Sequence, residues 1–233
     1  MWYPQDKEEL DRVLDEYLKN GKSKEKVNGL VVPHAGYEYS GKVAGKAFSL
    51  VRGKKIDKAI VIGLSHYIYL EIAVTSHEKY WETPLGKVKL FNENFPRANI
   101  DEEHSIQNQI PFLQKLKVKE VMPLMIGQIT IKQAKEIAEK ISKIDAFYVF
   151  STDLSHFLPY EQAVRKDKQS IQIIENLDIA NFNKIDACGM FPLLVLMYLC
   201  EEKGWKPKLV EYKNSGDVIG DKSRVVGYGS FWF

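Results

Sequence analysis

The chain alternates short apolar runs with amphipathic stretches, and this alternation constrains its fold more than any other feature. The runs are "GLVV" (29–32), "KAIVIG" (58–63), "EVMPLMIG" (120–127) and "AFYVFS" (146–151). Each is short, continuous and apolar, which predicts a strand covered on both faces. Leu10, Val13, Leu14, Tyr17 and Leu18 fall on one helical stripe, and "GKVAGKAFSLVRG" predicts a second helix. A third is expected from about His104 to Leu116. A capping box at Thr130–Gln133 opens a fourth, which Ile131, Ala134, Ala138 and Ile141 turn inward. Further helices are expected over 160–176 and 186–203. "HAGYEYSG" reads as a glycine-containing turn, and "NSGDVIGDKSR" as a polar loop before a final strand, "VVGYGSFWF". Antiparallel-looking pieces near 71–90 make the sheet mixed. The expected fold is α/β, with a central mixed, largely parallel β-sheet flanked by helices, in a single domain over residues 1–233.

Charge and apolar length narrow the partners. The 33 basic and 31 acidic residues are scattered and leave a formal charge of +2, so no nucleic-acid partner is expected. The longest apolar run, "FPLLVLMYLC" (191–200), falls short of the ~20 residues a membrane span needs, so no membrane partner is expected. The N-terminus lacks an apolar signal core, and the reading is a cytoplasmic protein. Two cysteines twelve positions apart make neither a disulfide framework nor a zinc motif.

The histidines carry the chemistry. Of five, three follow directly on predicted strands: His34 after "LVVP", His66 after "IVIGLS" and His156 after "YVFSTDLS". In a parallel sheet these lie on one edge, where ligands gather. Two or three histidines together suit iron, copper or zinc. Cys188, in "IDACGMFPLL", stands at the expected start of a helix, where free amides and the dipole favour a thiolate, and it is the further ligand candidate. Asp153, three residues before His156, is placed to orient an imidazole. Cys200 sits in an apolar run and reads as inert core. His77 reads as a surface residue, and spacing alone leaves His104 outside the site. No serine lies in a nucleophile elbow, and the glycines form no nucleotide fingerprint.

In order along the chain, "VPHAGYEYSG", "IGLSHY", "EHSIQNQIPFLQ", "STDLSHF", "DACGMFPLLVLM" and "NSGDVIGDKSRVVGYGS" resemble the Memo family (mediator of ErbB2-driven cell motility). The match is best with its archaeal and bacterial members, also called AmmeMemoRadiSam system protein B. It runs from about residue 28 to the end. The resemblance implies a fold similar to the class III extradiol dioxygenases. It carries the family's metal-binding set onto His34, His66 and Cys188, and its pocket residues onto Asp153, His156 and His104. His104 thereby joins His156 and Asp153 as an expected catalytic residue. The ring-cleaving dioxygenases hold iron with two histidines and a glutamate. A cysteine in the third position is softer and favours copper or zinc while still permitting iron, so dioxygenase activity does not follow from the fold.

Three functions fit these residues. The first is a redox metalloprotein using iron or copper, with His156, helped by Asp153, as acid or base. The alternative is a non-catalytic module that binds a peptide or small molecule in the same pocket, walled by Tyr37, Tyr39, Tyr67 and Tyr69. A zinc hydrolase ranks third. By resemblance, a radical SAM protein and an AMMECR1-like protein are expected partners.

Overall fold

The computed structural model describes residues 2–19, 21 and 23–233. Helix α1 (Lys7–Tyr17) is opened by Asp6, whose carboxylate accepts the Glu9 N–H at 2.8 Å. There follow β1 (Gly29–Val32), α2 (Tyr37–Ser49), β2 (Lys58–Leu64), β3 (Ala73–Ser76), β4 (Tyr80–Thr83), β5 (Gly86–Leu90) and β6 (Arg97–Ala98). The chain continues through α3 (His104–Gln107), α4 (Ile110–Lys115), β7 (Glu120–Ile126), α5 (Ile131–Ile141), β8 (Phe147–Ser151) and β9 (His156–Leu158). It closes with α6 (Tyr160–Asn176), a 3-10 turn (Ile179–Lys184), α7 (Met190–Lys203), β10 (Lys208–Asn214), α8 (Ser215–Ile219) and β11 (Val225–Trp232).

Among the described residues, eleven strands form one mixed sheet, in the order β10-β11-β1-β8-β2-β7-β3-β6, with β4, β5 and β9 branching from it. The central strands β1, β8, β2 and β7 are parallel. Antiparallel pairing appears toward the flanks, between β1 and β11, β10 and β11, and β3 and β7. The pleat sends alternate residues to opposite faces. Val31, Ile60, Ile62, Met122, Leu124 and Phe150 meet α5, α6 and α7 on one side. Leu30, Val32, Ala59, Val61, Val121 and Val149 meet α1, α2 and α4 on the other. Helix α7 is apolar all round and has no exposed face over Leu193–Met197, as a helix in the middle of its layer must be. Among the described residues no helix is long and apolar enough to cross a membrane.

The structure redraws four sequence boundaries. "HAGYEYSG" is mostly helix, since α2 begins at Tyr37 with Gly36 as its cap. Its glycines serve packing: a Cβ on Gly45 would lie 2.8 Å from the Tyr17 carbonyl oxygen, so α1 and α2 approach there only because the side chain is missing. The helix expected over 104–116 is two helices, because Pro111 lacks an N–H and its ring opposes the carbonyl of Gln107, where α3 ends. Helix α7 begins at Met190, so Cys188 lies in the loop just before it. The polar loop after Asn214 contains α8, opened by a reciprocal capping box between Asn214 and Asp217.

Candidate metal centre

Because β8 lies between β1 and β2 and all three run parallel, their carboxyl ends bring three loops side by side. His34 stands two residues beyond β1, His66 two beyond β2 and Asp153 two beyond β8. The loop before α7 reaches the same place, where the Cys188 N–H donates to the Asp153 carbonyl at 3.3 Å. One donor atom each from His34, His66 and Cys188 lies within 4.8 Å of the others, and Cys188 Sγ is 3.3 Å from His34 Nε2.

Each imidazole is held through its Nδ1. His34 Nδ1 is hydrogen-bonded to Ser151 Oγ at 3.0 Å, and Gln109 Nε2 donates to the same hydroxyl and to the Pro33 carbonyl. His66 Nδ1–H donates to Glu103 Oε1 at 2.8 Å, and the His66 backbone N–H donates to Glu103 Oε2 at 2.8 Å. These bonds leave the Nε2 atoms as the available donors toward a metal.

The electrostatics suit neutral imidazoles. Burial, assisted by the neighbouring His66, holds His34 down at about 3. Burial likewise depresses His104 to about 4, with His34 and His66 adding to the effect. Burial opposes the charge on Glu103, but the N–H bonds from His66 and Ser105 outweigh it and hold the carboxyl at about 2. Cys188 departs from expectation. Burial and the charge of Asp153 push its thiol up to about 12 against the N–H groups of Asp153 and Gly189. Without a cation Cys188 is therefore a thiol, because its loop position precedes the helix and burial exceeds the local amide field. The two imidazoles and the sulfur nonetheless fit a borderline or soft transition metal, whose binding would displace the thiol proton.

His104 joins the cluster, contrary to the spacing argument: its ring centroid is 4.2 Å from that of His66 and 5.4 Å from that of His34. Its Nδ1 shares a hydrogen bond of 2.9 Å with the Tyr67 hydroxyl. Asp153 does not orient the His156 ring through a hydrogen bond. Its buried carboxylate accepts the His34 backbone N–H at 2.8 Å and so fixes the β1 loop. His156 Nδ1–H donates instead to the Leu154 carbonyl at 2.8 Å, which leaves Nε2 as its free nitrogen. Tyr37 is no pocket wall, being 4% exposed, packed on Phe112 and bonded through its hydroxyl to the Asn108 carbonyl. Tyr69 is exposed and bonded to Glu71. His77 is exposed and Cys200 is buried core, as expected.

Four residues at the site were not anticipated from sequence. Glu103 holds His66, and Ser151 holds His34. Asn108 Nδ2 donates to the His34 carbonyl at 2.6 Å. Trp2 stacks on His104 with ring centroids 4.1 Å apart and planes within 7°. A carboxylate immediately before "HS", at a helix-capping position, was the available signal for Glu103; nothing in the spacing connected Trp2 to a histidine more than a hundred residues away. Grooves of about 610 Å³ along α1 and about 550 Å³ at the opposite, amino-terminal end of the strands contain no histidine or cysteine. Size does not point to the chemistry here; donor geometry does.

Fold and site together define an α/β protein with two histidines and a cysteine clustered at the carboxyl ends of parallel strands. The chain belongs to the Memo family: the family profile described as Memo-like protein matches residues 1–232. It is 35% identical to a MEMO1 family protein of Aquifex aeolicus over 97% of this chain and 94% of the relative. It is also 35% identical to one from Archaeoglobus fulgidus, over 100% and 96%, and 30% identical to one from Nitrosopumilus maritimus, over 100% and 96%.

Proposed function

We propose that this Memo-family chain is a metalloprotein holding iron or copper through His34, His66 and Cys188, and that it acts as a redox protein on a substrate bound beside them. The supporting observation is the convergence of three donor atoms within 4.8 Å, with both Nδ1 atoms already engaged and both Nε2 atoms available. When bound, such a metal supplies Lewis-acid and one-electron chemistry. The protein's own contribution is positional. Asp153 and Asn108 clamp the backbone of His34, Ser151 and Glu103 orient the two rings, and His34 itself is buried. His156, half-buried and with its Nδ1 engaged by the Leu154 carbonyl, has its free Nε2 as the atom to take or give a substrate proton.

A second reading, capture of a peptide or small molecule without turnover, draws support from exposed aromatic rings around the cluster. Trp2 is 42% exposed, Tyr67 60% and Phe157, next to His156, 58%. Radical SAM and AMMECR1-like proteins remain proposed partners of either activity. The test is redox cycling after separate anaerobic loading with ferrous iron, cuprous copper and zinc. Reversible spectral change on oxidation and reduction of the iron or copper form supports the first reading. Stoichiometric zinc with inert iron and copper forms moves the assignment to hydrolysis, and no retained metal moves it to ligand capture.

A further inference from the structure

The donors of the cluster differ in how firmly the fold holds them. His34 is 2% exposed, and Cys188 lies against it from the loop before α7. These two form a floor built into the sheet end. His66 is different. Its residue is exposed, and it opens the 66–69 segment in which Tyr67, Ile68 and Tyr69 are all solvent-facing. A histidine on such a segment would sample several rotamers and lose metal affinity through the entropy of being ordered.

The His104 ring packs 4.2 Å from that of His66, and one side chain holds His66 by hydrogen bonds. Glu103 is 2% exposed and belongs to the element that carries His104, not to the β2 loop. It accepts three N–H groups: the His66 backbone and Nδ1, both at 2.8 Å, and the Ser105 backbone at 2.9 Å. Gripping backbone and ring at once fixes both the place of His66 and the face it presents. Glu103 also forms a geometric triad with His66 and His104 that has the composition of a two-histidine, one-carboxylate iron site. Its oxygens, however, are occupied by three charge-assisted hydrogen bonds that ligation would have to dismantle.

Building on the proposed metal function, we infer that Glu103 is the positioning residue of the centre: it locks His66 with Nδ1 protonated and Nε2 turned toward His34 and Cys188, and is not itself a ligand. The loop arm is thereby made part of the rigid floor. Carboxylate–histidine pairs of this kind raise the basicity of the metal-facing nitrogen, and their loss commonly costs 10–100-fold in metal affinity.

Two measurements on the full chain test this. Competition titration of the metal-free protein with zinc against a chromophoric chelator compares wild type, Glu103→Gln, Glu103→Asp and Cys188→Ala, with thermal unfolding as the control for folding. Nitrogen-15 NMR of the metal-free protein reads the His66 tautomer directly. The expected result is a drop of about 10–100-fold in affinity for Glu103→Gln at unchanged stoichiometry, a smaller drop for Glu103→Asp, and an Nδ1–H tautomer at His66 in wild type that becomes mixed in Glu103→Gln. Wild-type affinity in a folded Glu103→Gln protein would overturn the inference. So would full metal retention by Cys188→Ala with complete loss in Glu103→Gln, which would make Glu103 a ligand. If wild type takes up no metal yet shows the locked tautomer, the metal function falls while the positioning of His66 stands. A wild-type His66 with mixed tautomers overturns the positioning whatever the titration gives.

Discussion

Cys188 Sγ lies 3.3 Å from His34 Nε2 although 154 positions separate the two residues in the chain. The contact exists because β1 and β8 pair in register, Val32 opposite Ser151, and because the loop before α7 is tied to the Asp153 carbonyl. With the His34 imidazole neutral and the Cys188 thiol protonated, metal binding at this pair would release the thiol proton.

His156→Ala is expected to keep metal stoichiometry and lose any turnover, since its ring is tied to the Leu154 carbonyl and it is not one of the three clustered donors. Metal analysis beside an oxidation assay separates the two effects. Loss of metal together with activity would make His156 a ligand.

Metal-free protein should lose stability on mild acidification. His34 and His104 sit at about 3 and about 4 in the folded chain, below the ordinary 6.5 they regain on unfolding. The unfolded chain therefore takes up protons first, and the stabilisation present above pH ~6.5 is lost as pH falls toward 4, by up to about 1.4 kcal/mol per unit for each histidine. His66, Glu103, Asp153 and His156 face these rings and share the field. Urea midpoints in chelator at pH 7.5, 6.0 and 5.0 should fall in order, and His34→Gln should flatten the slope. A wild-type midpoint constant across this range contradicts the assignment of buried neutral rings.

Much of this was legible in the sequence because short apolar strands and amphipathic helices have distinct periods. The edge carrying His34 and His66 followed from the parallel order of those strands. The role of Asp153 was misread because sequence proximity to His156 suggested a partner, whereas the sheet places its carboxylate on the backbone of His34, 119 positions away. Cys188 was misread in its protonation because the helix-start argument counted the amide field and not burial. The roles of Glu103, Ser151 and Trp2 were not legible because their histidine partners become neighbours only in the folded chain.

Gly45→Ala tests the packing of α1 on α2. In an isolated helix the change would gain roughly 1 kcal/mol. Here the new Cβ would lie 2.5 Å from the Tyr17 Cβ and 2.8 Å from its carbonyl oxygen. Overpacking of this kind costs about 1–3 kcal/mol, so a net loss in urea unfolding is expected. A stabilised variant would show that the two helices separate without penalty.

The most direct test of the central claim is metal content after anaerobic purification and separate loading with ferrous iron, cuprous copper and zinc, comparing wild type with His34→Ala and Cys188→Ala. The account predicts about one metal per chain in wild type and near-complete loss in both variants, with far-ultraviolet circular dichroism unchanged. Equal metal content in all three proteins, or none in wild type, would contradict a centre built from His34, His66 and Cys188.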